Sequence, residues 1–120
     1  QIHVGIVQRR HGVVHGGQRI TRERADTFAD GLATRSTYDL TFPALQAGLA
    51  GFVTVSDAEI ANAVRLLMST THSLVEGAGA GGLAALRTLA PQLAGQRVGI
   101  IVSGGNIDEA TLRRIILREL

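Results

Sequence analysis

The chain has 120 residues, one domain's worth of length, and it is 45% hydrophobic but only 3% aromatic, so any core is built from Leu, Ile, Val and Ala. Its 12 basic and 10 acidic residues give a formal net charge of +2, and all 12 are arginine. That excludes a P-loop lysine on a phosphate, a lysine Schiff base and a lysine general base from these residues.

With no cysteine there is no disulfide framework, Cys-ligated zinc site or thiol nucleophile, which fits a cytoplasmic protein. No apolar run approaches the roughly 20 residues that span a bilayer, so no membrane partner is expected. The chain opens abruptly on Ile2 to Val7, a β-branched run that reads as a strand continuing something upstream. Residues 9 to 24 hold Gly12, Gly16, Gly17 and five of the 12 arginines and read as an exposed connector. Ala29 to Ala33 reads as a turn. Pro43 to Ala50 suits a short helix with proline in its first turn, and Phe52 to Val55 a strand.

Ser56-Asp57-Ala58-Glu59 is a capping box, the serine hydroxyl accepting the Glu59 N–H while the carboxylate reaches back. It opens a helix whose apolar stripe is Ile60, Ala63, Val64, Leu67 and Met68. The glycine-rich run Gly77 to Gly82 leads into a helical stretch from Leu83 to Leu89, ended before Pro91. Val98 to Val102 reads as an apolar strand, Ser103 to Asn106 as a turn capped by Asn106 or Asp108, and Ile107 to Leu120 as an amphipathic helix. The alternation predicts an α/β fold with an open, largely parallel sheet and flanking helices.

Several motifs read as plain structure. Gly77, Gly79 and Gly82 satisfy G-x-G-x-x-G, but no acidic residue follows Glu76 until Asp108, so the ribose-binding carboxylate of a dinucleotide site is missing. The glycines read instead as small residues that let a helix pack closely. His11 and His15 lack the glutamate of a metalloprotease helix and read as solvated loop residues. Arg9, Arg10, Arg22, Arg24, Arg113 and Arg114, with few aromatics to stack bases, read as a solvated charged face and not a nucleic-acid site. Ser103-Gly104-Gly105-Asn106 carries more. It places a hydroxyl and two glycines at a sheet's carboxyl edge, where ligands of open α/β sheets bind, or else is a simple strand-to-helix turn.

Four ordered blocks span nearly the whole chain: Thr27-Phe28-Ala29-Asp30-Gly31-Leu32-Ala33, Val55-Ser56-Asp57-Ala58-Glu59-Ile60, Val75-Glu76-Gly77-Ala78-Gly79-Ala80 and Ile101-Val102-Ser103-Gly104-Gly105-Asn106-Ile107-Asp108. Together they resemble the threonine dehydratases and serine racemases, pyridoxal-phosphate enzymes of fold type II (tryptophan-synthase β-like). The resemblance implies that residues 1–120 form the C-terminal segment of such an enzyme domain. It also implies that Ser103 hydrogen-bonds the pyridine nitrogen of pyridoxal 5'-phosphate. Gly104 and Gly31 would bring backbone close to the ring, and Glu76 would set a carboxylate near its plane, unless it merely caps the following turn.

The family's Schiff-base lysine, phosphate loop and substrate-carboxylate loop belong to the N-terminal part, so no residue of this chain is expected to be catalytic. Gln8 stands near the place of an acidic residue that in the family can contribute to a cation site, and no metal site is expected. The implied activity is dehydration of a small hydroxyamino acid, threonine or serine, to a 2-oxo acid and ammonia. The implied partners are the N-terminal remainder of the enzyme and further copies in a homo-oligomer. A serine or aspartate racemase is the alternative within the fold. A non-catalytic structural or regulatory fragment is the alternative of another class.

Overall fold

The computed structural model describes residues 2–6, by their backbone, and residues 23–120. Residues 9 to 22 of the expected connector, with His11, His15 and the arginines up to Arg22, and Gln8 lie outside the described residues. Strand β1 is Ile2–Ile6 and β2 is Gly51–Val55, close to the expected bounds. They pair antiparallel, with Ile2 opposite Val55 and Ile6 opposite Gly51.

The expected largely parallel sheet is therefore corrected: among the described residues the sheet has two strands and they are antiparallel. The expected strand Val98 to Val102 is not one either. A strand is defined by a neighbour that takes its N–H and C=O groups, and no described strand pairs with 98–102. Val98, Ile101 and Val102 are exposed, Ile101 at 84%, while the half-buried Ile100 lies against α3 at Gly82.

Helix α1, Phe42–Gly48, carries Pro43 in its first turn, where the missing N–H is costless, and ends on the buried Leu49. Helix α2 is Asp57–Thr71, and the capping box forms as expected. The Ser56 N–H donates to Glu59 Oε2 at 2.7 Å, and the Glu59 N–H donates to the Ser56 hydroxyl at 3.3 Å. The bonds its carboxylate accepts, from the Ser56 N–H first and from the Ser56 hydroxyl at 2.9 Å, hold the Glu59 carboxyl below its ordinary value of 4.5, helped by the Thr88 hydroxyl. The helix buries Ile60, Ala61, Ala63, Val64 and Leu67, and leaves its axis at His72, whose left-handed φ of 54° ends it.

Helix α3 spans Gly77–Leu89, so the glycine-rich run expected to precede a helix is its first two turns. Each glycine costs about 1 kcal/mol against alanine in a helix interior. Packing outweighs that here. A Cβ on Gly77 would stand 2.7 Å from Phe28 and 3.0 Å from Ala29, and one on Gly79 2.8 Å from the Gly104 carbonyl oxygen.

Helix α4 is shorter than the expected Ile107 to Leu120, running Glu109–Ile116. Asp108 is the cap that starts it, accepting the Thr111 N–H at 2.9 Å, and Arg118 in the left-handed region (φ 61°) lies beyond its end. Arg65 on α2 holds that end through the Ile115 carbonyl. The core gathers Ala29, Val55, the buried face of α2, Val75, Ala80, Ala84, Ala85 and Ile115, with Phe28, Met68 and Ile107 packed against it. Fully burying each of Ile60, Val64 and Ile115 contributes about 1.5–3 kcal/mol.

Candidate functional site

The first turn of α3 is the floor on which the candidate site is built. Glu76 is its N-cap residue by backbone geometry, extended at φ −72° and ψ 167°, yet its carboxylate makes no capping hydrogen bond. A helix normally has its first N–H groups answered by a cap side chain. Here the backbone does different work: the Glu76 N–H donates to the Gly104 carbonyl at 3.0 Å, fastening the turn after residue 102 to the start of α3.

The approach is as close as backbone allows. A Cβ on Gly104 would lie 2.5 Å from Glu76 Oε1, and one on Gly105 would lie 2.6 Å from the Leu74 carbonyl oxygen. From the other side comes the turn at Ala29, folded as a 3-10 helix over Asp30–Leu32. Its Gly31 reaches α3 so closely that a Cβ there would meet Ala78 Cβ at 2.8 Å. At Gly105, whose Cβ would meet backbone, only glycine serves; at Gly104 and Gly31 the atoms met belong to the Glu76 and Ala78 side chains.

Of the four residues singled out from the sequence, Gly31, Glu76 and Gly104 are thus brought around one helix end, and Ser103 adjoins Gly104. Glu76 and Gly104 are half-buried, while Ser103 and Gly31 are exposed. No hydrogen bond to a described residue engages the Ser103 hydroxyl or the Glu76 carboxylate. The simpler reading of Glu76, a cap on the following turn, does not apply. Nor do Gly77, Gly79 and Gly82 follow a strand. Gly77 and Gly79 are spent on close packing of α3, as expected for the plain reading, while Gly82 has room for a Cβ.

Sequence reasoning passed over two polar residues that hold the Gly31 turn. The Thr27 hydroxyl donates to Asp57 Oδ1 at 2.6 Å and accepts the Ala29 N–H at 3.0 Å. Both sit inside blocks that carry the family resemblance, but their 30-residue separation gives no local signal. The basic residues are used elsewhere. Arg24 pairs with Asp26 at 3.0 Å on the surface, a contact worth little there, and Arg113 and Arg114 complement the C-terminal end of α4. Two surface cavities, of about 280 Å³ beside Leu112 and Ile116 and about 240 Å³ beside Asn62 and Arg87, contain none of the four residues. The described chain offers one open wall and not an enclosed pocket.

Known proteins share this arrangement of elements. A threonine deaminase structure from T.th. superposes with a TM-score of 0.72 at 38% identity, covering 77% of this chain and 33% of that one. Maize serine racemase does so with a TM-score of 0.70 at 33% identity, covering 87% and 34%. In sequence, the chain is 48% identical over 82 residues to an L-threo-3-hydroxyaspartate ammonia-lyase of Pseudomonas sp, 68% of this chain and 26% of that protein. It is 39% identical over 98 residues to an L-threonine ammonia-lyase of Thermotoga maritima, 82% of this chain and 24% of that one. The chain therefore spans about a quarter of the length of these curated relatives. Residues 4–104, which include every residue of the cluster around α3, match the model of one family, and the chain belongs to it: the pyridoxal-phosphate dependent enzymes.

Proposed function

We propose that this chain is the C-terminal segment of a pyridoxal-phosphate-dependent ammonia-lyase acting on a small hydroxyamino acid. The observation that carries the reading is the Ser103 hydroxyl. It is exposed and has no described partner, and it sits beside a glycine that presses on Glu76 at the end of α3. The donor set fits a flat heteroaromatic ring. The missing Cβ atoms of Gly31 and Gly104 let their turns close on Ala78 and Glu76, and Ser103 would bring one neutral hydrogen-bonding group to the ring's edge.

Pyridoxal phosphate, when bound, supplies a conjugated ring that takes up electrons from the substrate's α-carbon. Ser103 holds the ring nitrogen without a charge. A neutral hydroxyl does not enforce a protonated ring as a carboxylate would, and moderate electron demand suits elimination of a β-hydroxyl. Glu76 would bring a carboxylate close to the ring, and Gly31 and Gly104 would bring backbone close to it. The exposed Val98, Ile101 and Val102 pack against the N-terminal remainder of the enzyme. That packing completes the parallel part of the sheet and excludes water from the cleft. The lysine, the phosphate loop and the substrate-carboxylate loop come from that remainder. The whole protein works as a cytoplasmic homo-oligomer.

The test is the full-length protein given L-threonine, L-serine or L-threo-3-hydroxyaspartate, with 2-oxo acid and ammonia followed. Ser103→Ala is expected to lower kcat/KM and cofactor affinity about 5- to 150-fold, the factor for a lost hydrogen bond of roughly 1–3 kcal/mol. Absence of cofactor absorbance, or of 2-oxo acid from all three substrates, would refute the reading. The second reading is a racemase of the same fold, favoured by the likeness to maize serine racemase at a TM-score of 0.70. Its mark is inversion of the substrate without ammonia release.

A further inference from the structure

We propose that Thr27 and Asp57 are positioning residues that fix the Gly31 turn over the cofactor cleft, an inference that rests on the reading just given of that cleft. Thr27 uses its one hydroxyl twice. It donates to Asp57 Oδ1 at 2.6 Å and accepts the Ala29 N–H at 3.0 Å. The result is a strut from the first residue of α2 to the base of the turn. A carboxylate acceptor makes such a bond shorter and stronger than a neutral one, and Asp57 sits in the first turn of α2, where the helix dipole favours negative charge.

The turn beyond the strut is stiff. The Leu32 N–H donates to the Ala29 carbonyl at 2.8 Å and the Ala33 N–H to the Asp30 carbonyl at 2.9 Å. A displacement at Ala29 is therefore carried to Gly31. On its far side the turn has no slack: a Cβ on Gly77 would stand 3.0 Å from Ala29 Cα, and one on Gly31 2.8 Å from Ala78 Cβ. Apolar packing of Phe28, Ala29 and Leu32 holds the turn down, but it is non-directional. The strut supplies the direction. Thr27 and Asp57 thus act on the ring through the backbone at Gly31, touching neither substrate nor cofactor.

The experiment uses the full-length protein with pyridoxal phosphate and three variants, Thr27→Val, Thr27→Ser and Asp57→Asn. Thr27→Val keeps the shape and removes both bonds. It is expected to raise the cofactor dissociation constant about tenfold, the scale of a lost charge-assisted bond, and to change the visible circular dichroism of the bound cofactor. Thr27→Ser keeps the hydroxyl and is expected to restore both, with Asp57→Asn falling between.

A Thr27→Val protein that melts earlier but keeps cofactor affinity and dichroism within about twofold of wild type, well inside the tenfold scale of the lost bond, would overturn the proposal, leaving the strut a stabilising contact. Should Thr27→Val not fold, Asp57→Asn decides: unchanged affinity and dichroism overturn the proposal, and a shift in both supports it. Wild-type protein that binds no pyridoxal phosphate would overturn the functional reading itself. Wild-type binding with unmoved variants overturns only the strut.

Discussion

Gly79→Ala and Gly82→Ala are the same chemical change made twice on one helix, and the structure gives them opposite outcomes. Each replaces glycine by the best helix former, a gain of up to about 1 kcal/mol. At Gly82 the new methyl would sit 3.5 Å from the Ile101 carbonyl oxygen and 3.6 Å from Ile100 Cβ, ordinary contact distances. The full gain remains, and Gly82→Ala is expected to be neutral or stabilising. At Gly79 the methyl would fall 2.8 Å from both the Gly104 carbonyl oxygen and Val75 Cγ1, and 3.2 Å from the Gly104 nitrogen.

Backbone held by the Glu76 N–H cannot swing aside as a side chain tip can. Relief must come by moving α3 away from residues 103–105, an overpacking cost of about 1–3 kcal/mol. Because propensity cancels between the two variants, their difference in stability reads that cost directly. Thermal and urea unfolding of the full-length holoprotein measure it, with cofactor titration alongside. Gly79→Ala is expected to be the less stable by about 1–3 kcal/mol and to bind pyridoxal phosphate more weakly, since Ser103 moves with Gly104. A Gly79→Ala protein as stable as Gly82→Ala would mean that α3 does not bear on the Ser103 turn, and the construction of the site would be wrong.

Two further predictions concern the frame. Ser56→Ala is expected to cost about 1 kcal/mol by removing the hydroxyl half of the α2 capping box, while the residue-56 N–H still donates to Glu59. The Glu59 carboxyl is held below 4.5 by that box, so its share of the stability is complete above 4.5 and is lost as pH falls through the lowered value. The gap between wild type and Ser56→Ala should narrow on acid titration; an unchanged gap well below 4.5 would show that the charge plays no part. Ile115→Ala is expected to cost about 2–5 kcal/mol, because Ile115 is fully buried where α4 meets the core. Its neighbour Ile116, 51% exposed, should cost within about 0.5 kcal/mol on the same change. Equal losses in unfolding midpoint would contradict the packing of α4.

What could be read from the sequence was what is decided within a few residues. The Ser56–Glu59 box, the apolar stripe of α2, the proline-led α1 and the turn at Ala29 depend on neighbours one to four positions apart, and each stands where the pattern put it. The start of α3 depends on Phe28, Ala29 and Gly104, far off in sequence, so composition alone began the helix at Leu83. Val98 to Val102 shows the same limit from the other side. Its residues are those of a strand, but a strand requires a partner and none of the described segments provides one. At the site, residue chemistry alone left the Ser103 turn open between a ligand edge and a simple turn. The four family blocks named the residues, and the structure added why they meet: glycines at 31, 79 and 105 remove Cβ atoms that would strike Ala78, the Gly104 backbone and the Leu74 carbonyl, and the one at 104 leaves room for the Glu76 carboxylate.

The charges around the cluster also bear on which end of a cofactor this chain holds. A phosphate ester needs cations or open N–H groups, and the end of a helix with no side-chain cap is normally such a place. At α3, however, the Glu76 carboxylate stands against Gly104, and none of the four cluster residues is basic. A phosphate dianion there would face a like charge at close range, an unfavourable interaction in a partly desolvated cleft. On the proposed reading a ring nitrogen would meet the neutral Ser103 hydroxyl there. The same residues that make this wall poor for phosphate make it suitable for the nitrogen end of the ring. On the proposed reading the phosphate and the aldehyde must then point away from this segment, toward the part of the enzyme that supplies the lysine. A chain whose basic residues are all arginine, with none in the cluster, is consistent with that division.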